Sequence, residues 1–197
     1  MNRIDILNAI IQKKGFKKYC EIGVQAGHCF RGVQCETKVG VDPDVNSAAT
    51  IHKPSDEFFA TNEEKFDIFW IDGLHHADQV ERDILNALKF LNEGGVICCH
   101  DMHPTDEFMT QTPQTTQDCW TGDCYKAFVK LRTERDDLEM VTIATDWGCG
   151  IIWKGKQEKL NLEGKEVNFA NFWNNKDVWM NVRSEEWFNE VYIKQIA

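Results

Sequence analysis

The chain has 197 residues, a length typical of one domain. Hydrophobic residues make up 42% and charged residues 27%, which excludes a disordered chain because enough apolar side chains remain to form a core. The formal net charge of −10 repels nucleic-acid phosphates and anionic membranes, so neither is an expected partner.

No targeting or membrane segment is predicted. The first charged residues are not followed by an apolar run, and no stretch reaches the ~18–20 apolar residues that a membrane span requires. We therefore expect a cytoplasmic protein whose eight cysteines are reduced thiols. Cys119 and Cys124 lie in a polar loop, but no second pair follows at zinc-finger spacing.

The first half of the chain alternates predicted helices and strands. An apolar stripe over residues 4–13 predicts an N-terminal helix that ends at Gly15. Five strands are predicted, the third of them weak, over residues 18–22, 37–42, 49–52, 66–72 and 96–101. Helices are predicted after residue 27, from Ser55 or Asp56, and over 80–91 with an end at 92–95. This alternation favours a parallel sheet with helices on both faces.

The second half of the chain is less regular. Residues 102–121 form a loop that is too long for a simple connector, and we interpret it as a lid. A helix is predicted over 122–135, followed by strands at 140–144 and 150–153 that form an antiparallel hairpin. The aromatic-rich extension 154–197 is predicted to be helical from Val167, and its aromatic side chains make a homodimer through this region an expectation.

A glycine-containing turn follows the first strand. The pattern is Glu21-x-Gly23-x-x-x-Gly27, and glycines at such a turn let the backbone approach a bound ligand. Gln25 stands where the triple-glycine dinucleotide fingerprint has its central glycine, so an ordinary strand-to-helix turn explains the pattern equally well. Asp42 ends the second strand 19 residues after Gly23, where an acid can accept hydrogen bonds from ribose hydroxyls. A turn or capping acid is the alternative for Asp42.

Acids and imidazoles follow two buried strands. Asp72 and His75 come after the fourth strand, and His100 and Asp101 after the fifth. Because ligands bind beyond the carboxyl ends of parallel strands, these side chains are candidates for a shared site. An imidazole with a pKa near neutrality can act as a general base, and two carboxylates can hold a hard divalent cation. The alternative is that Asp101 caps a turn and the histidines bond to backbone.

In combination, four segments resemble the class I S-adenosylmethionine-dependent methyltransferases. The segments are Glu21–Gly27, Val39–Asp42, Phe66–His75 and Leu91–Asp101. More narrowly, the Asp-Gly-Leu-His sequence at 72–75 is similar to a small-molecule O-methyltransferase branch marked by Asp-Gly-x-His after the fourth strand, which includes enzymes acting on sugars. The resemblance covers residues 16–153.

The resemblance implies a fold and a cofactor. The fold is a Rossmann-like α/β three-layer sandwich with a mostly parallel seven-stranded sheet and a C-terminal antiparallel hairpin. The single domain then has its N-terminal helix in 1–15, its core in 16–153 and its extension in 154–197. S-adenosylmethionine is the implied cofactor. The residues implied to bind it are Glu21, Gly23 and Gly27 at the methionine part, Asp42 at the ribose, Ser55 or Asp56 near the adenine, and Asp72.

The resemblance also implies a reaction, methyl transfer to a hydroxyl of a sugar or another small molecule. In metal-dependent relatives, an acid matching Asp72 and an acid pair after the fifth strand bind magnesium, and the residue matching His75 is the base. Here His100 and Asp101 stand where such relatives often carry two acids. The implied catalytic residues are therefore His75, Asp72 and Asp101, and the implied magnesium ligands are Asp72, His100 and Asp101.

Three alternatives remain open at the level of sequence. A nicotinamide-dependent oxidoreductase lacks support because the triple-glycine fingerprint is missing. A binding module that keeps the cofactor pocket without catalysis fits the same motifs. A metal-dependent hydrolase would use the polar cluster of Asp72, His75, His76, His100, Asp101 and His103.

Overall fold

The computed structural model describes residues 1–115 and 119–195, and seven strands within them form one sheet. The strands are β1 (Lys18–Ile22), β2 (Thr37–Val41), β3 (Phe66–Ile71), β4 (Leu91–Cys99), β5 (Leu138–Ile143), β6 (Cys149–Lys154) and β7 (Val182–Arg183). Their order is β2-β1-β3-β4-β6-β5-β7, and β6 is antiparallel to both of its neighbours. The predicted seven-stranded, mostly parallel sheet with an antiparallel hairpin is confirmed.

Helices cover both faces of the sheet. They are α1 (Arg3–Lys14), α2 (His28–Gly32), α3 (Ser55–Thr61), α4 (Ala77–Lys89), α5 (Cys124–Glu134) and α6 (Phe169–Trp179), followed by helical segments Glu185–Trp187, Phe188–Tyr192 and Ile193–Gln195. Alternate residues of β3 point to opposite faces. Trp70 packs in the core under α1, α2 and the last helical segments, whereas Phe69 packs in the core under α3 to α6. The three predicted layers follow from this alternation.

The chain reaches seven strands by a different route from the one predicted. Residues 49–52 do not form a strand, and Ile51 makes an isolated bridge to Val41. The amide of Ala48 instead donates to the carbonyl of Gln25, which folds this segment back onto the glycine turn. The additional strand is β7 of the C-terminal extension, which pairs in parallel with β5.

Two further boundaries differ from prediction. Helix α4 ends at Lys89, and residues 92–95 belong to β4 rather than to the helix end. The amide of Phe66 donates to the carbonyl of Phe90, so the pairing of β3 with β4 begins before the glycines. The proposed lid, 102–121, contains a short 3₁₀ helix at Glu107–Thr110, and its residues 116–118 lie outside the described ranges.

Aromatic side chains of the C-terminal extension pack into the apolar core on both faces of the sheet. Phe172, Trp179 and Phe188 are buried against the rest of the chain, so these aromatic side chains need no partner subunit to cover them. Trp173 remains partly exposed. Among the described residues, the helices are too short or too polar to cross a membrane.

Helix α1 is fixed at both of its ends. Asn2 and Asp5 form a capping box at its start, and Gly15 ends it with a φ of 65°. The apolar side chains of its inner face, including Ile6 and Ile10, are fully buried. This anchoring holds Arg3, in the first turn of the helix, close to the carboxyl ends of β3 and β4.

Candidate active site

The carboxyl ends of the strands border a cavity of about 420 Å³. One side is formed by Glu21 and the turn that follows β1, and the other by polar side chains that follow β3 and β4. The first turn of α1 and the turn between β5 and β6 also reach it. The predicted residues that line this cavity are Glu21, Gly23, Gly27, Asp72, His75, His100 and Asp101.

The two glycines of the turn are required by close backbone packing. Gly23 has a φ of 86°, and a Cβ atom there would lie 2.0 Å from the carbonyl oxygen of Asp72. Gly27 has a φ of 74°, and its Cβ would lie 2.5 Å from the Cβ of Ala48. Both conformations favour glycine. The turn therefore packs tightly against the end of β3, which brings its backbone to the cavity beside Asp72.

Glu21 is a buried carboxyl group at the cavity wall. It is 1% exposed, and the hydroxyl of Tyr19 donates a hydrogen bond to it. Burial raises the pKa of Glu21 to about 7. A cationic ligand group in the cavity would favour its charged form.

Asp42 lies against the backbone of the glycine turn. Its Oδ2 accepts hydrogen bonds from the amides of Val24 and Gln25, at 2.9 and 2.8 Å, and its Oδ1 accepts from the amide of Asp44 at 2.9 Å. The carboxylate is buried and lies outside the cavity lining. The structure thus shows the turn-acid arrangement, while the ribose role stays a prediction.

Ser55 and Asp56 also lie outside the cavity lining. The side-chain amide of Gln79 donates to Ser55 Oγ at 3.1 Å and to Asp56 Oδ1 at 3.3 Å. These contacts join α3 to α4. Neither residue lines the cavity with Glu21, Gly23, Gly27 and Asp72, so their adenine role stays a prediction.

The predicted acid and imidazole residues do meet. His75 lies between the two carboxylates, with Nε2 at 3.3 Å from Asp72 Oδ1 and Nδ1 at 3.3 Å from Asp101 Oδ2. His100 Nδ1 lies 3.4 Å from Asp72 Oδ1 and 3.3 Å from Asp101 Oδ1. We call Asp72, His75, His100 and Asp101 the acid–imidazole cluster. Its members come from the ends of β3 and β4, as the sheet topology predicts.

Three members of the cluster have the chemistry of a metal site. Ligand atoms of Asp72, His75 and Asp101 all lie within 4.8 Å of one another. Two carboxylates and one imidazole fit a divalent cation. This set contains His75 where the set implied by the resemblance has His100. The Nε2 of His100 instead donates to the carbonyl of Asp146 at 2.8 Å.

His75 is held in a defined orientation. Its Nδ1 lies 3.0 Å from the carbonyl oxygen of Trp120 and donates to it, and its ring stacks on the indole at a centroid distance of 5.1 Å. Burial alone would lower the pKa of His75, but its hydrogen bond to Asp72 and the charge of Asp101 outweigh burial and raise it. Burial likewise opposes ionisation of Asp72, and His100 and His75 hold the pKa of that carboxyl well below its usual range.

The structure adds cavity-lining residues that the sequence did not reveal. The guanidinium of Arg3 makes a bidentate ion pair with Asp146, a fork with distances of 2.8 Å from Nε to Oδ2 and 2.9 Å from Nη2 to Oδ1. Its Nη1 lies 3.2 Å from Asp72 Oδ2. Asp146 and Trp147 have φ values of 50° and 55° in the β5–β6 turn, and both line the cavity. In the sequence, the Asp-Trp-Gly run at 146–148 indicates a turn, but no pattern indicates that Arg3 lies beside it.

Two histidines of the hydrolase alternative lie elsewhere. His76 precedes α4, and its ring meets the Trp120 indole edge-on at 6.3 Å. The ring of His103 lies 6.3 Å from that of Phe172. Both side chains are outside the lining of the cavity that contains the acid–imidazole cluster. The six-residue hydrolase set is therefore not assembled.

Comparison with known proteins supports the class that the motifs predicted. Residues 43–102 match a protein-family model described as a methyltransferase domain. No curated protein matches the chain. The match covers α3, β3, α4 and β4, and it includes Asp72 and His75, which lie in the turn between β3 and α4.

Solved methyltransferases share the fold at low sequence identity. The O-methyltransferase from Bacillus cereus in complex with S-adenosylhomocysteine is 17% identical, with a TM-score of 0.54 over 76% of this chain and 78% of that one. The O-methyltransferase TomG from Streptomyces achromogenes, in complex with S-adenosylmethionine, is 14% identical, with a TM-score of 0.58 over 77% and 79%. The N-methyltransferase NodS from Bradyrhizobium japonicum is also 14% identical, with a TM-score of 0.50 over 78% and 93%. The chain thus has the Rossmann-like fold found in S-adenosylmethionine-dependent methyltransferases.

Proposed function

We propose that this chain is an S-adenosylmethionine-dependent methyltransferase that acts on a hydroxyl group of a sugar or another small molecule. One observation carries the proposal: a single cavity is lined both by the glycine turn with Glu21 and by the acid–imidazole cluster. The methyltransferase-domain match over 43–102 and the complexes of similar folds with S-adenosylmethionine or S-adenosylhomocysteine support it. The cofactor supplies an electrophilic methyl group.

The cofactor side of the cavity is proposed to bind the methionine part. Glu21 would accept hydrogen bonds from the ammonium group, because a buried carboxylate gains most from a cationic partner. Gly23 and Gly27 would let the backbone lie close to the ligand. Asp72 lines the same cavity, and its carbonyl packs against Gly23.

His75 is the proposed general base. It would take the proton of the acceptor hydroxyl as that oxygen becomes nucleophilic. Asp72 and Asp101 would stabilise the imidazolium that results, because both carboxylates lie 3.3 Å from ring nitrogens. Alignment of the acceptor oxygen within the cavity would supply much of the rate enhancement.

Asp72 and Asp101 are also the residues that would hold a magnesium ion, whose chemistry would be to lower the pKa of the acceptor hydroxyl. Direct ligation by His75 would compete with its role as base, because a nitrogen bound to a metal cannot accept a proton. Trp120, which stacks on His75, would help to exclude water when the lid closes over the acceptor.

His75→Ala tests this assignment. We expect the variant to bind S-adenosylhomocysteine as the unaltered chain does, because His75 lies on the acceptor side, and to lose about 10²–10⁴-fold in turnover. The measurement is transfer of labelled methyl groups from S-adenosylmethionine to a panel of hydroxylated small molecules, combined with calorimetric titration.

His76→Ala is the matched control, because it removes the neighbouring imidazole, which lies outside the cavity lining. Its turnover should stay within a few fold of the unaltered chain. Undiminished turnover in His75→Ala would remove His75 from the role of base. Binding of S-adenosylhomocysteine without transfer to any acceptor would favour a non-catalytic binding module.

A further inference from the structure

Arg3 places a permanent positive charge beside the carboxylate of Asp72. A guanidinium stays protonated under ordinary conditions. Arg3 Nη1 lies 3.2 Å from Asp72 Oδ2, and its other nitrogens are fixed by the fork onto Asp146. The backbone amide of Arg3 also donates to Asp146 Oδ2, at 2.9 Å. Arg3 Nη1 also lies 3.3 Å from His100 Nδ1, so each nitrogen of the guanidinium has a partner.

The oxygens that a divalent cation would use already face nitrogen atoms. Asp72 Oδ2 faces Arg3, and Asp72 Oδ1 faces His75 and His100. Asp101 Oδ1 faces His100, and Asp101 Oδ2 faces His75. The guanidinium of Arg3 keeps its positive charge when a cation arrives. A divalent ion at Asp72 would therefore lie close to a positive charge held by the fold.

We propose that Arg3 is a resident cation of the acid–imidazole cluster, which compensates Asp72 and weakens binding of a divalent ion at Asp72 and Asp101. The inference rests on the proposed function, since it concerns the metal site assigned there. Arg3 is a positioning residue in this account: it orients Asp72 and Asp146 and acts on the reaction through them. Without a metal ion at Asp72 and Asp101, removal of the acceptor proton would depend on His75.

Manganese binding to the cofactor-free protein tests the inference. Mn²⁺ stands in for Mg²⁺, and its bound fraction is measured by electron paramagnetic resonance without any enzymatic assay. We expect Arg3→Met to bind Mn²⁺ at least about tenfold more tightly than the unaltered chain, because a like charge beside the ligand carboxylate is removed. Arg3→Lys, which keeps a positive charge, should gain much less.

Two controls separate a local effect from a general one. Arg135→Met removes an exposed guanidinium that pairs with Asp137, at 2.7 Å from Nε to Oδ1, and should leave Mn²⁺ affinity unchanged. The double variant Arg3→Met with Asp146→Asn keeps the net charge of the unaltered chain. It also leaves no unpaired, half-buried acid at residue 146, so it guards against misfolding of the single variant. It should still bind Mn²⁺ more tightly than the unaltered chain.

Three results would overturn the inference: equal affinity of the double variant and the unaltered chain, a gain in Arg135→Met as large as that in Arg3→Met, or no Mn²⁺ binding by any variant. Titration of the unaltered chain with S-adenosylhomocysteine, without metal, tests the proposed function separately. Absence of that binding would contradict the methyltransferase proposal. The manganese measurements would still test the role of Arg3.

Discussion

Glu21 and Asp83 are carboxyl groups buried in different parts of the molecule, each 1% exposed. Glu21 borders the cavity, whereas Asp83 lies on α4 and accepts a hydrogen bond from the side-chain amide of Gln79 at 3.0 Å. Burial raises the pKa of Glu21 from 4.5 to about 7 and that of Asp83 from 3.8 to about 6. A carboxyl group whose pKa is raised by folding favours the folded state when protonated. Its contribution to stability is therefore lost as pH rises from the unfolded to the folded pKa.

Removing either buried charge should stabilise the fold at high pH. We expect Glu21→Gln and Asp83→Asn each to increase the free energy of unfolding by about 1–3 kcal/mol near pH 8. The gain should disappear near pH 4, where both groups are protonated in the folded protein. Urea unfolding at the two pH values measures this difference.

Cofactor affinity distinguishes these two variants. Glu21→Gln should bind S-adenosylhomocysteine more weakly, because a neutral amide replaces the carboxylate proposed to face the ammonium group. Asp83→Asn should bind it as the unaltered chain does, since Asp83 lies outside the cavity lining. A Glu21→Gln variant with unchanged affinity would contradict the proposed role of Glu21, whatever its stability.

At the scale of elements, the turn between β1 and α2 is fixed by its contact with the end of β3. Gly23 and Gly94 both have positive φ values, 86° and 70°. A Cβ at Gly94 would meet no atom within 4 Å, whereas one at Gly23 would overlap the carbonyl of Asp72. The two positions therefore separate conformational strain from steric overlap.

Alanine at these two glycines should have unequal effects. Gly94→Ala should lower the free energy of unfolding by about 1–2 kcal/mol, the strain of a left-handed conformation. Gly23→Ala should lower the free energy of unfolding by a further 1–3 kcal/mol, roughly the usual effect of overpacking. It should also displace Asp72. Urea unfolding measures both. Equal losses in the two variants would contradict the tight contact between the turn and β3.

At the scale of the whole molecule, strong local patterns predicted most of the sheet. The apolar run at Phe66–Ile71 and the hairpin strands lie where the sequence placed them. The edges of the sheet were predicted poorly. Residues 49–52 form one bridge because that segment folds onto the glycine turn, and β7 spans two residues, too few for any periodicity.

The same contrast holds for the candidate site. His75 and Asp101 could be placed together because parallel strands end at one edge of a sheet. Arg3 could not, since its position depends on how α1 packs across the sheet and on the conformation of the β5–β6 turn. The direction of the Asp42 side chain depends on the amides of the glycine turn, which no spacing in the sequence encodes.

We infer that the cavity beside Glu21 and the acid–imidazole cluster binds the methyltransferase cofactor. Isothermal titration of the whole chain with S-adenosylhomocysteine, with and without magnesium, tests it most directly. We expect micromolar binding in both conditions, with little change on adding magnesium because Arg3 already compensates Asp72. Absence of binding in both conditions would contradict the methyltransferase assignment.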